Sequence, residues 1–243
     1  MAVDQRIIEM WRKRLGGVRF DPPIDYKLIF YDAIKGLAKP GYSFLDMGTG
    51  TGRVIFDNNL RDVYDTVIGV DIRPEMVTLC KEKAKGMRNV DFVVGDATKK
   101  MRMNPNTFDV ISSMFGPHDP AEVSRLLSPG GYFVYIDSIR GDHKEIIKQF
   151  PELSKGIDGS PRLTTIKERN SKLKSVGMEV ILTNVLSYKW IFKNDEALRQ
   201  FYEKILFAPV FDGKEDRLQG LEHLIDGSIM ITRRLCTTVA KKL

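Results

Sequence analysis

The residues of this chain most suited to chemistry fall in one short run, Phe44-Leu45-Asp46-Met47-Gly48-Thr49-Gly50-Thr51-Gly52-Arg53. Glycines at 48, 50 and 52 let the backbone turn sharply and approach a ligand where a Cβ would block it. A helix starting just beyond them would aim free N–H groups and its positive dipole end at the same spot. Two acids frame the run. Asp46 stands two positions before the first glycine, and Asp71 follows 19 residues after Gly52, at the end of the next apolar segment. A carboxylate there is suited to accept from both hydroxyls of a ribose. The competing readings are a plain tight turn for the glycines and a helix-capping acid for Asp71.

The elements that must carry these residues alternate. β-rich runs at Ser43–Met47, Thr66–Asp71, Val90–Val94, Asp109–Met114 and Tyr132–Asp137 are apolar almost throughout, as in strands covered on both faces. Helical stretches fill the gaps, the pattern of βαβ units in a parallel sheet. Pro74 opens one helix, Glu75–Lys85, and Gly86 stops it; Asp119-Pro120 opens another, to about Leu127, which Ser128-Pro129-Gly130-Gly131 ends. Amphipathic helices are expected at Val3–Leu15 and Asp25–Leu37, with 16–23 as a loop between them. Beyond the fifth strand, helices are expected at His143–Phe150, Arg162–Val176 and Asp195–Phe207, and β-rich stretches at Glu179–Trp190 and Ser228–Ala240. No repeat or domain boundary stands out. The expectation is one domain over 1–243, with a helical lid at 1–39, a cofactor-binding core at 40–140 and a part completing the sheet and acceptor pocket at 141–243.

With its glycines spaced GxGxG and preceded by an acid, rather than GxGxxG, the chain resembles the class I S-adenosylmethionine-dependent methyltransferases, of the small single-domain prokaryotic kind. The likeness continues in register through Gly95-Asp96-Ala97, Phe108-Asp109-Val110-Ile111-Ser112-Ser113 and Leu126-Leu127-Ser128-Pro129-Gly130-Gly131-Tyr132-Phe133, covering about residues 40–140. It implies a Rossmann-like α/β fold: a mostly parallel seven-stranded sheet with helices on both faces and an antiparallel last strand. It also implies S-adenosylmethionine as cofactor and S-adenosylhomocysteine as product. Asp46, Gly48, Thr49, Gly50 and Gly52 would surround the methionine part, with Asp46 near its ammonium. Asp71 would hold the ribose and Ile72 pack on the adenine. Asp96 would accept from the adenine amino group with Ala97 beside it, and Ser112 and Ser113 would lie close to the sulfonium. A turn residue is the competing reading for Asp96.

Methyl transfer from such a donor needs alignment and exclusion of water, and a base only if the acceptor reacts deprotonated. The candidates for a base or pocket residue are His118, in Met114-Phe115-Gly116-Pro117-His118-Asp119, and Tyr26 or Tyr31 on the second N-terminal helix. A loop histidine and packed tyrosines are the competing readings. Ser112-Ser113-Met114-Phe115 departs from the [DN]PP[YF] sequence of enzymes that methylate amino groups of nucleic-acid bases or glutamine. No cysteine lies near the glycine run or the fourth strand, which argues against a cysteine-nucleophile pyrimidine methyltransferase.

Bulk properties bound the rest. The 243 residues are 42% apolar and 29% charged, and the net charge of +6 divides as +2 over residues 1–140 and +4 over 141–243, with no basic stripe for nucleic acid. Cys80 and Cys236 belong to no CxxC pair, and histidines at 118, 143 and 223 suggest no metal site. No apolar run approaches the ~20 residues of a membrane span, and charges at 4, 6, 9 and 12–14 break any signal-peptide core. A soluble, cytoplasmic enzyme acting on a small-molecule acceptor is expected. RNA or protein as acceptor, or binding of S-adenosylmethionine without catalysis, are the alternatives. The sequence leaves open the acceptor's identity, the atom methylated, the need for a base and the oligomeric state.

Overall fold

In the computed structural model, residues 18–22, 25–154, 163–206 and 211–243 are described. The expected helix at Val3–Leu15 lies outside them. The chain forms two compact units. One comprises Tyr26–Asp137, Thr165–Val185 and Leu235–Leu243; the other comprises Met1–Asp25, Ser138–Thr164 and Leu186–Arg234.

The larger unit begins with helix α1 (Leu28–Gly36) and then alternates strand and helix: β2 (Ser43–Met47), α2 (Arg53–Phe56), β3 (Thr66–Asp71), α3 (Pro74–Lys83), β4 (Val90–Val94), β5 (Phe108–Met114), α4 (Pro120–Leu126) and β6 (Leu127–Ser138). Helix α6 (Ile166–Ser175) and the neighbouring ends of β7 (Met178–Phe192) and β8 (Ile229–Lys242) complete it. The other unit contains β1 (Val18–Asp21), α5 (Lys144–Gln149), α7 (Asp195–Leu206) and the remaining halves of β7 and β8.

The strand order is β1-β7-β8-β6-β5-β2-β3-β4. Strands β6, β5, β2, β3 and β4 pair in parallel, and β1, β7 and β8 are the antiparallel strands near one end. The sheet thus has eight strands, not seven. The additional one is β1, from the 16–23 segment expected as a loop, paired from Val18↔Phe192 to Asp21↔Lys189. Its Val18 and Phe20 alternate with exposed Arg19 and Asp21, the pattern of a half-buried strand.

Local sequence explains the helix ends that face the β5 and β3 termini. Helix α4 starts at Pro120, and the Asp119 carboxylate caps it by accepting from the Ala121 N–H at 3.1 Å. Helix α3 starts at Pro74. The Ser128–Gly131 segment, expected to end a helix as a loop, lies instead within β6, where the register shifts between Phe108 and Val110. The core of this unit joins Leu45, Met47 and Val70 of the central strands to Phe108, Ile111, Val123, Leu126 and Phe133. Every residue of β2 after Ser43 is buried, which explains its unbroken apolar run and makes the carboxylate at Asp46 conspicuous.

The smaller unit packs aromatic rings around a charged pair. Trp190, Phe192, Phe201, Tyr202 and Phe211 are buried in mutual contact, and the Arg233 guanidinium lies 3.9 Å from the centre of the Trp190 ring. Asp142, fully buried, accepts from Arg233 Nε at 2.9 Å and from the Arg234 N–H at 2.6 Å.

Candidate functional site

The glycine run turns at the C-terminal end of β2 with positive φ at Gly48 (71°), Gly50 (54°) and Gly52 (76°), a region costly for residues with a Cβ. Gly48 has a second reason to be glycine. A Cβ there would lie 3.2 Å from Gly116 Cα, because the turn after β5 passes it backbone to backbone. The expected helix beyond the run, however, is a single turn, Arg53–Phe56. One turn sums few peptide dipoles. The loop is held instead by a carboxylate: Asp71 Oδ2 accepts from the Gly50 N–H at 2.8 Å, while Thr49 N–H donates to the Val70 carbonyl at 2.8 Å.

Asp46 lies beneath this turn, 1% exposed. Its Oδ1 accepts from the Ser112 hydroxyl at 2.7 Å, and its Oδ2 is buried with no partner. Burial pushes its carboxyl up to about 7, with a smaller push from the Asp71 charge and against the Ser112 and Thr49 hydroxyls, which favour the charged form. A buried oxygen left unpaired is costly, and a cation arriving from the loop side would relieve it.

A cavity of about 270 Å³ opens beside the turn, lined by Gly48, Asp71, Ile72, Arg73, Gly95, Asp96, Ala97 and the Met114–Pro117 loop. The residues expected around ribose and adenine therefore line one cavity. Ile72 is 61% exposed, an apolar side chain presented rather than packed away. Asp96 already accepts from Thr98 (N–H at 3.0 Å, hydroxyl at 2.6 Å) and pairs with Lys99 at 3.0 Å. These contacts hold its carboxyl down at about 2, so it is a permanent acceptor.

Ser112 and Ser113 are buried and do not line the cavity. Ser112 supports Asp46, and Ser113 donates to the Gly116 carbonyl at 3.0 Å. His118 also stands behind the wall, half-buried, its Nδ1 3.1 Å from the same carbonyl. Tyr26 is half-buried with its ring edge-on to Phe115, centroids 6.0 Å apart. Tyr31 packs on Phe30.

Sequence reasoning missed Arg73 and Phe115. Arg73 donates from N and Nε to Asp71 Oδ1, at 3.0 and 3.2 Å. Its position next to Asp71-Ile72 was the available signal. Phe115 holds a left-handed backbone, φ 57°, and lines the cavity as a residue 42% exposed. Among the described residues no group of three or more His, Cys, Asp and Glu side chains is placed to hold a metal, and no helix is long and apolar enough to cross a membrane.

The chain belongs to the methyltransferase-domain family, whose profile matches residues 38–196. It is 32% identical over 103 residues to a demethylmenaquinone methyltransferase of Leptospira interrogans, covering 38% of this chain and 41% of that protein. It is 36% identical over 111 residues to phosphoethanolamine N-methyltransferase 3 of Arabidopsis thaliana, covering 42% and 22%. The matched stretch thus spans less than half of either relative. Among solved structures, the YcgJ protein of Bacillus subtilis superposes with a TM-score of 0.63 at 17% identity, over 88% of this chain and 98% of that one. Geranyl diphosphate methyltransferase in complex with SAM gives 0.58 at 15%, over 89% and 84%. At such identities the likeness is one of fold.

Proposed function

We propose that this protein transfers the methyl group of S-adenosylmethionine to a small-molecule acceptor. The observation that carries the reading is the glycine turn, with the unpartnered Asp46 Oδ2 buried behind it, beside a cavity lined by Gly48, Asp71, Ile72, Asp96 and Ala97. The fit is chemical. Asp46 would hold the ammonium of the methionine part, Asp71 would accept from the ribose hydroxyls, and Asp96 from the adenine amino group, with Ile72 and Ala97 against its ring. When bound, the cofactor supplies a methyl group already activated on a sulfonium.

What remains for the chain is orientation and exclusion of water. Asp71 keeps the turn in shape through Gly50 and accepts twice from Arg73, so about one of a carboxylate's four lone-pair sites is left, and a second ribose hydroxyl would take the place of the exposed Arg73 Nε. Met114, Phe115 and Pro117 present apolar surface on the remaining side. The Leptospira and Arabidopsis relatives act, by their names, on small molecules, which supports an acceptor of that kind. A cytoplasmic location belongs to the same proposal: Cys80 and Cys236 are buried thiols, as suits a reducing compartment.

Transfer of labelled methyl from S-adenosylmethionine into a metabolite extract and into total RNA, followed by fractionation, tests the acceptor class. Label in small molecules is expected, and label confined to RNA or protein would overturn that part. Asp71→Asn keeps one acceptor oxygen, which can retain the Gly50 N–H or the Arg73 donors but not both. It is expected to weaken S-adenosylhomocysteine binding about tenfold in calorimetry, the loss of roughly one charged hydrogen bond. Unchanged affinity would remove Asp71 from the site.

A further inference from the structure

The turn after β5, which lines the cavity and passes Gly48 backbone to backbone, is held in part at the Gly116 carbonyl oxygen. It accepts from Ser113 Oγ at 3.0 Å and faces His118 Nδ1 at 3.1 Å. A Cβ at 116 would crowd the Met47 carbonyl oxygen at 3.0 Å. The residue just before it, Phe115, has the left-handed φ of 57° that bulky side chains avoid. Such a conformation persists only when its surroundings hold it. Here the Phe115 N–H donates to the Ile136 carbonyl at 3.0 Å, and Gly116 is pinned from behind.

The His118 ring is not on the cavity wall. It lies edge-on to Phe133 (5.0 Å) and Tyr135 (5.3 Å), among the charged groups Asp119 on its own loop, Asp137 on β6 and Arg169 on α6. A ring nitrogen that meets a carbonyl oxygen must carry the proton, so Nδ1 is the donor and Nε2 the bare nitrogen. Protonation of Nε2 would leave this bond in place.

We propose that His118 is a positioning residue: its Nδ1–H, together with the Ser113 hydroxyl, latches the Gly116 carbonyl and so fixes Phe115 as the aromatic wall of the cavity. The role is structural support for the binding surface, not proton abstraction. It rests on the methyl-donor reading only in the choice of ligand used to test it.

The test compares wild type with His118→Ala and His118→Asn, because the Asn side-chain amide can place an N–H near the position of Nδ1. Three readouts apply: exchange of the Phe115 amide, S-adenosylhomocysteine affinity, and the ¹⁵N spectrum of the ring. His118→Ala is expected to speed Phe115 amide exchange at least about tenfold and to weaken ligand binding about fivefold. His118→Asn is expected to restore both to within about twofold of wild type. The wild-type spectrum should show a protonated Nδ1 and a bare Nε2. A ring protonated at Nε2 alone, an alanine variant indistinguishable from wild type, or an asparagine variant no better than alanine would overturn the latch. If wild type takes up no S-adenosylhomocysteine, the donor-site reading fails, while the Phe115 exchange comparison still decides the latch.

Discussion

Asp46→Asn is expected to remove most of the affinity for S-adenosylhomocysteine, by about 50-fold or more at pH 8, while making the ligand-free protein more stable at that pH. Both effects come from one buried atom. Oδ2 of Asp46 has no partner, and burial raises the carboxyl to about 7. Its folded pKa lies above its unfolded value, so the folded state holds the proton more tightly. The ionised form is therefore a cost that grows as pH rises from about 4 to about 7 and is complete above that. Removing it should stabilise the variant by something on the order of 2 kcal/mol above pH 7 and by nothing near pH 4, the amide's own unpaired N–H offsetting part of the gain. A ligand ammonium reverses the balance by pairing with the carboxylate. Wild-type affinity should therefore rise between pH 6 and pH 8, with proton release on binding, and the variant should show neither. Calorimetry in two buffers of different ionisation enthalpy measures this directly. A pH-independent wild-type affinity would exclude Asp46 from ligand contact.

The other large effect is one of stability in the smaller unit. Asp142→Ala should destabilise it by about 3–5 kcal/mol, because Arg233 is left charged, buried and unpaired. Asp142 takes Arg233 Nε and the Arg234 N–H on one oxygen, and Arg233 is stacked on Trp190 with its side chain 8% exposed. Adding Arg233→Met to Asp142→Ala should recover more than half of the loss, since the cost lies in the stranded charge rather than in the missing contact. Trp190 fluorescence during urea unfolding reports on this unit. A single variant within 1 kcal/mol of wild type, a bound set against that expected range, would show that the pair adds little.

Strands β2, β3 and β4 fall where their apolar runs predict, because strands buried on both faces write their boundaries into local composition. The acid–glycine–acid spacing likewise put Asp46, the glycine turn and Asp71 together, since the turn chemistry is local. What escaped was set by partners distant in sequence. Strand β1 is four residues between glycines and prolines, and its pairing with β7 defines it. Helix α2 stops after one turn, with Asn59 soon after in a left-handed conformation, where the sequence alone allowed a longer helix. Ser112 and Ser113 were expected near the reacting centre because they sit at the end of the right strand. Alternation along β5 and the contacts of Asp46 and Gly116 turn them into supports. Phe115 and Arg73 reach the cavity through backbone geometry that no spacing rule encodes.

The most direct measurement is the melting temperature of the wild-type protein with and without S-adenosylhomocysteine. A ligand at about 100 times its dissociation constant stabilises the folded state by about 2.7 kcal/mol, which for a chain of this length is a rise of about 5 °C or more. That rise is expected for wild type at millimolar ligand, with about a quarter of it or less for Asp46→Asn at pH 8. No shift for wild type at millimolar ligand would contradict the assignment of the glycine turn and its two acids as a methyl-donor site.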